Sequence, residues 1–222
     1  MAVLSHSAAP FALLLCAGVC LAVTPAQAQY TSGGAGLPRI VNYHDGAYQL
    51  ADGHWQTGQL YLETSGQLRV RPIDSKATTV YQPGQVEAFV LKTDTFGTVR
   101  NVDMSYRRIP AVFAQRLYRY GQLTAFTLDH RYMGEGSQLL GSNTVVPAGA
   151  VDLVLQPAVG DAVVVPAGRR AFTQTMLALV GDCPELAAQI TKGKVGRQHM
   201  RQILRTYARW QQAGSAQPTS VN

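Results

Sequence analysis

Side chains able to do chemistry are few in this sequence, and they are scattered. His44, His54, His130 and His199 follow the N-terminal region, and none has metal-ligand spacing to another His, Cys or carboxylate. No H-E-x-x-H or paired-cysteine pattern is present. Asp129 and His130 are adjacent, and on a strand the two side chains would leave on opposite faces, which argues against a local dyad. The stretch closest to a nucleophile elbow, "GEGSQLLG", lacks the G-x-S-x-G pattern. Neither a P-loop nor a dinucleotide fingerprint occurs, and carboxylates stand singly, so no acid/base pair is legible. No catalytic residue, metal ligand or cofactor is assigned, and the reading leans away from an enzyme.

Basic side chains form the one ordered pattern. Arg197, Arg201, Arg205 and Arg209 step at intervals of four, while Met200, Ile203, Leu204, Tyr207 and Trp210 fall on another face. Like charges at that spacing repel by about 0.2–0.5 kcal/mol per pair in an isolated helix. Acidic groups of the body, solvent and salt, or an anionic partner must offset this. An ordinary docked helix with a solvated arginine face is the simple alternative, and Arg205 and Arg209 also suit the negative end of a helix dipole. These four arginines are the candidate contacts for an anionic partner such as phospholipid, nucleic acid or acidic glycan. "SYRR" and "RLYRY" mix Tyr with Arg in the same way, although strand faces of exported proteins share that texture.

Net charge is +6, and the excess is local. All acidic residues lie at or before Glu185, whereas Lys192, Lys194 and the four arginines follow Ile190. The positive field therefore belongs to the tail. At the other end, Met1 to Ala28 contains no Lys, Arg, Asp or Glu, and Phe11 to Val23 is an apolar run of signal-peptide length. Ala26-Gln27-Ala28 follows as a cleavage pattern. Residues 1–28 are thus expected to be a leader that exports the chain. The competing readings are a buried core helix and lipidation, for which Cys16 after Leu15 and Cys20 after Val19 are poorly placed. No second apolar run approaches the length of a membrane span.

Cleavage would leave Cys183, in "GDCPEL", as the only cysteine, so no internal disulfide can form. Cys183, Leu186, Ala187 and Ile190 lie three and four apart on one helical stripe, where a thiol behaves as a small hydrophobe. A reactive thiolate at a helix N-terminus is the alternative, with no His nearby in sequence to activate it.

Elements to position these groups follow from periodicity. Residues 29–53 are Gly-, Ser- and Tyr-rich and read as a flexible lead-in, ordered only if docked as an edge. Residues 54–168 read as a β-rich body. "GQLYLETSGQLRVRP" contains two short strands split by Ser65-Gly66, with Leu68 and Val70 alternating against Arg69 and Arg71. "TTVY", "QPGQ" and "VEAFVLK" repeat strand, turn and strand. In "FAQRLYRYGQLTAFTLDH", a Gly121-Gln122 turn pairs Tyr120 with Leu123, sets Leu117 against Phe126 and sets Arg116 across from Thr127. A helix from Pro110 to Gly121 competes with that hairpin. Gly134 to Ser142 reads as a loop, and "VDLVLQP" and "DAVVVPAG" as strands. "VVPAG" occurs at Val145 to Gly149 and at Val164 to Gly168, most simply as two similar strand exits.

Beyond Arg170 the period turns helical. Phe172, Met176, Leu179 and Val180 share a face, and Asp182 with Glu185 suggests a capping box around Pro184. Gly193 and Gly196 mark a break before a last helix from about Arg197 to Gln212. Residues 169–212 are expected to pack on the body, and 213–222 to form a disordered tail.

The ending "FTQTMLALVGDCPELAAQITKGKVGRQHMRQILRTYARW", preceded by "PGQVEAFVL" and "FAQRLYRYGQLTAF", resembles a broad set of uncharacterised exported proteins of Bacteroidota. In that set a β-rich body precedes a C-P-x-L…I…I…Y helical tail. The resemblance spans roughly Gly53 to Trp210 and implies architecture only, with no activity, cofactor or site residue. "YARW" departs from it, since an Asn often follows the Tyr there. Together these readings predict an α+β fold, a mostly antiparallel sheet or open barrel followed by two or three short C-terminal helices. The expected function is an exported, non-catalytic binding or envelope-associated module with a basic C-terminal helix. Its partner would be an anionic envelope component or another exported protein. The alternative is a secreted or periplasmic hydrolase whose site is assembled from distant residues.

Overall fold

The computed structural model describes residues 42–75, 77–104, 107–133 and 150–215. The leader, the first part of the lead-in, the Gly134 to Ser142 loop, the first "VVPAG" copy and the last seven residues lie outside them. The strands are β1 (His44–Leu50), β2 (Trp55–Leu62), β3 (Leu68–Pro72), β4 (Thr79–Tyr81) and β5 (Val86–Leu91). They continue as β6 (Asp94–Met104), β7 (Arg107–Tyr120), β8 (Leu123–Asp129), β9 (Val151–Pro157) and β10 (Val163–Val164). All ten join one antiparallel sheet in the order β10-β9-β8-β7-β6-β5-β1-β2-β3-β4. Three helices close the described chain: α1 (Arg169–Val180), α2 (Pro184–Thr191) and α3 (Met200–Ser215). The α+β expectation therefore holds, with an open sheet.

The sheet is strongly curled, and chain length requires it. Between β4 and β5 lie three other strands, which in a flat sheet separates them by about 19 Å. Only five residue steps link Tyr81 to Val86, a reach of about 17 Å at full extension, and the link turns through a Gln85 N–H to Gln82 C=O bond. Rolling removes the conflict and brings the Tyr81 ring to 5.7 Å from that of Tyr48. Inside the roll, Tyr48, Leu60, Leu62, Leu68, Val70, Val86, Phe89 and Phe113 form one buried cluster. The opposite end curls as well. The Ala162 N–H, beside β10, donates to the Arg100 carbonyl of β6 at 3.2 Å, and Arg108 of β7 pairs with Asp161 at 2.6 Å. Val99, Val112, Phe126, Leu128 and Val154 fill that second roll.

Several expectations change. His44–Leu50, placed in the flexible lead-in, is an interior strand hydrogen-bonded to β2 and β5. β6 emerges from a stretch with no clear period. Pro110 sits within β7, so the competing helix does not form. The hairpin pairs Tyr120 with Leu123, and Gly121 has a φ of +53°, but a bulge at Leu117 slips the register by one. Arg116 consequently lies opposite Phe126 and Gln115 opposite Thr127, and Leu117 turns to solvent, 44% exposed. A bulge adds one unpaired residue and bends the strand, which sequence alternation cannot reveal.

On the helical side, Phe172, Met176 and Val180 of α1 are buried as the spacing predicts, with Leu179 half-buried. Cys183, rather than Asp182, is the N-cap of α2, with Pro184 in the first turn. The predicted capping box is absent because Asp182 Oδ2 instead accepts a bond from the Tyr207 hydroxyl of α3 at 3.0 Å. α2 ends where Gly193, at φ +68°, lets the Lys194 and Gly193 N–H groups turn back to Gln189 and Ile190 carbonyls. α3 runs on through Ser215, so residues 213–215, expected to lie in the tail, belong to the helix. The Cys183 thiol is 1% exposed within the helix-side cluster of Met176, Leu186, Ile190 and Leu204. Thiol reagents should therefore label Cys183 slowly in the native protein and fast in denaturant. Rapid native labelling would contradict the packing.

A candidate anion-binding face on the last helix

α3 is seated by its apolar stripe. Met200, Ile203, Leu204 and Tyr207 are buried against α1, α2 and the β8–β9 face carrying Leu123, Ala125 and Leu155, and Ala208 is buried beside Gly121. Trp210, expected on that stripe, is 38% exposed and stacks on Tyr207 with ring centroids 5.8 Å apart. The helix is introduced by a 3-10 turn at Arg197–His199, where the Gly196 N–H donates to His199 Nδ1 at 3.1 Å. With the stripe fixed inward, helical geometry places Arg201, Arg205 and Arg209 in one exposed row, each step about 6 Å.

The structure brings three of the four predicted arginines together. Arg201, Arg205 and Arg209 line an open groove of about 620 Å³, flanked by Gln198, His199, Gln202 and Thr206. Arg197, half-buried in the preceding turn, lines an adjoining recess of about 230 Å³ with Arg169, above an apolar floor of Phe172, Ile190 and Val195. Gln198 borders both. Arg169 was not singled out by sequence reasoning. It and Arg170 stand in the first turn of α1, which holds no acidic residue although negative charge is favoured there. Because α3 extends through Ser215, no basic residue occupies its last turn, so the helix dipole does not account for Arg209.

Among the described residues, no carboxylate forms an ion pair with Arg197, Arg201, Arg205 or Arg209. The acidic groups that do pair serve other cations, as in Glu63–Arg69, Glu87–Arg100 and Asp129–Arg131. Arg201 Nε instead donates to the neutral Tyr120 hydroxyl at the tip of the β7–β8 hairpin, at 3.2 Å. That hydrogen bond, outweighing burial and helped by the nearby Arg201 and Arg205 charges, holds the Tyr120 phenol below its ordinary value. Burial pushes the neighbouring Tyr118 phenol up, its ring centroid 6.0 Å from that of Tyr120. The arginine row thus keeps most of its unshielded charge, and a guanidinium fork suits bidentate binding of carboxylate, phosphate or sulfate.

A second arrangement was invisible in the sequence. His130 opens a 3-10 turn after β8, and its Nε2 lies 2.8 Å from Asp152 Oδ2 of β9, while its buried Nδ1 has no partner. Pairing of Leu128 with Asp152 brings the two together. Asp129, the sequence neighbour, caps the turn and binds Arg131. Burial disfavours the Asp129 charge, but the Arg131 side-chain and backbone bonds together hold its carboxyl below the usual range. His44, His54 and His199 lie elsewhere, and no cluster of three or more potential metal ligands exists among the described residues. No helix among them is long and apolar enough to cross a membrane. Compared with known proteins, the chain matches no family model, no curated protein and no solved structure.

Proposed function

We propose that the protein is an exported, non-catalytic binding module that holds an anionic envelope component along the arginine row of α3. The supporting observation is that Arg201, Arg205 and Arg209 stand exposed in one row with no carboxylate partner among the described residues. Of the ways to offset their repulsion, the acidic groups among the described residues do not contribute by contact. Export is supported by the apolar run from Phe11 to Val23 and the Ala26-Gln27-Ala28 pattern.

The test is retention on an anionic matrix at stepped salt. Charges near an anionic surface are worth about 1 kcal/mol each, so converting all three arginines to Gln should weaken retention roughly 100-fold and flatten its salt dependence. Retention unchanged by the triple substitution would remove the proposal. A second reading, a hydrolase, is favoured by the His130–Asp152 pair with its unpartnered nitrogen. The groove beside that pair is lined by its chain neighbours Asp129, Arg131 and Val151 rather than by His130 or Asp152, and Cys183 lies in the helix-side core. Binding is the better-supported reading.

A further inference from the structure

The face of α3 carries two kinds of side chain in parallel. Beside the row Arg201, Arg205 and Arg209 run the uncharged Gln202 and Thr206, four apart, with Gln198 of the preceding 3-10 turn continuing the line. We propose that this double row binds an acidic polysaccharide lying along the helix. The guanidinium groups take the carboxylates or sulfates of successive sugars, and the amide and hydroxyl groups take sugar hydroxyls. The assignment rests on the anion-binding reading above and names its ligand class.

Three features select this ligand over other polyanions. First, the groove is open along a single helix, which suits a chain passing over it. A small anion would call for a concave site that encloses most of its surface. Second, an interfacial helix binds lipid by burying its own apolar face, and that face of α3 is already spent on the core. Trp210, the exposed aromatic residue of α3, lines a different groove beside Gly121 and Gln122. Third, single-stranded nucleic acid is held by aromatic platforms that stack bases between cations. The groove's lining holds no Phe, Tyr or Trp, its one ring, His199, is tied by Nδ1 to the Gly196 N–H, and the Tyr120 phenol beside it is engaged by Arg201. An acidic sugar presents a charge together with several hydroxyls in every unit. Gln offers both donor and acceptor, and Thr likewise; phosphate oxygens can use only the donors, whereas sugar hydroxyls use both.

The experiment measures binding of the purified protein to oligogalacturonate, heparin, phosphatidylglycerol vesicles, oligo-dT and inorganic polyphosphate at matched ionic strength. The two saccharides are expected to bind at least about tenfold tighter than vesicles or DNA, an advantage of one or two neutral hydrogen bonds. Gln202→Ala with Thr206→Val, at one exposed and one half-buried position, should weaken saccharide binding about tenfold and polyphosphate binding clearly less. If vesicles or DNA bind as tightly as the saccharides, the glycan assignment falls and the anion face stands. Equal weakening of saccharide and polyphosphate overturns it likewise. Absence of binding to every anion, or binding indifferent to the triple arginine substitution, removes both.

Discussion

Phe89→Ala should lower the unfolding free energy by about 3–5 kcal/mol, the range for deleting a buried aromatic ring. Phe89 is fully buried on β5, stacked on Phe96 at 4.8 Å and edge-on to Phe113 at 5.1 Å. Each such ring pair adds about 0.5–1.5 kcal/mol beyond area burial. The upper half of the range is favoured because the first roll cannot easily collapse on the cavity. The short β4–β5 link fixes its circumference, and the Thr98 hydroxyl ties β6 to the Val86 carbonyl at the start of β5. Urea unfolding checks the prediction. A loss below about 1 kcal/mol would mean that the roll does not pack as one unit.

Gly46→Ala should cost about 2–3 kcal/mol although it adds a single carbon. A Cβ at Gly46 would stand 2.2 Å from the Val90 carbonyl oxygen and 2.7 Å from a Leu60 methyl. The leucine can rotate, but the carbonyl belongs to the backbone of β5 and moves only if the β1–β5 ladder opens. Replacing Gly by Ala also restricts the unfolded chain, worth about 0.4–1 kcal/mol in the opposite direction. The collision is the larger effect because its partner cannot yield. Amide hydrogen exchange at residues 44–50 should accelerate along with the loss of stability. Unchanged protection there would show that β1 tolerates the carbon and that its neighbours are looser than described.

Gly46 also shows why β1 was illegible. "HDGAYQL" has weak alternation, and its glycine reads as a turn signal, whereas the structure uses it to let two backbones and Leu60 approach. Local patterns were readable wherever one element had one wet face: Leu68 and Val70 against Arg69 and Arg71, the Tyr120–Leu123 turn, and the buried stripe of α1. Cys183 belongs with these, since its helical spacing to Leu186 and Ile190 already placed it in a core. The arginine row was legible for the same reason. Whether an acidic partner meets it is a long-range question, and among the described residues Glu63, Glu87, Asp129 and Asp161 pair elsewhere. His130–Asp152 is likewise long-range, joining residues 22 apart through strand pairing. Asp182 illustrates a local rule overridden, because a tertiary hydroxyl competed for a side chain that propensity assigned to a cap.

A ten-stranded ladder would ordinarily offer two long rows of unpaired amides and carbonyls to any passing chain. Here the outermost members are the three residues of β4 and the two of β10, and the Ala162 amide beside the latter already bonds back to Arg100. Templates this brief give a second molecule little to copy at either end of the ladder.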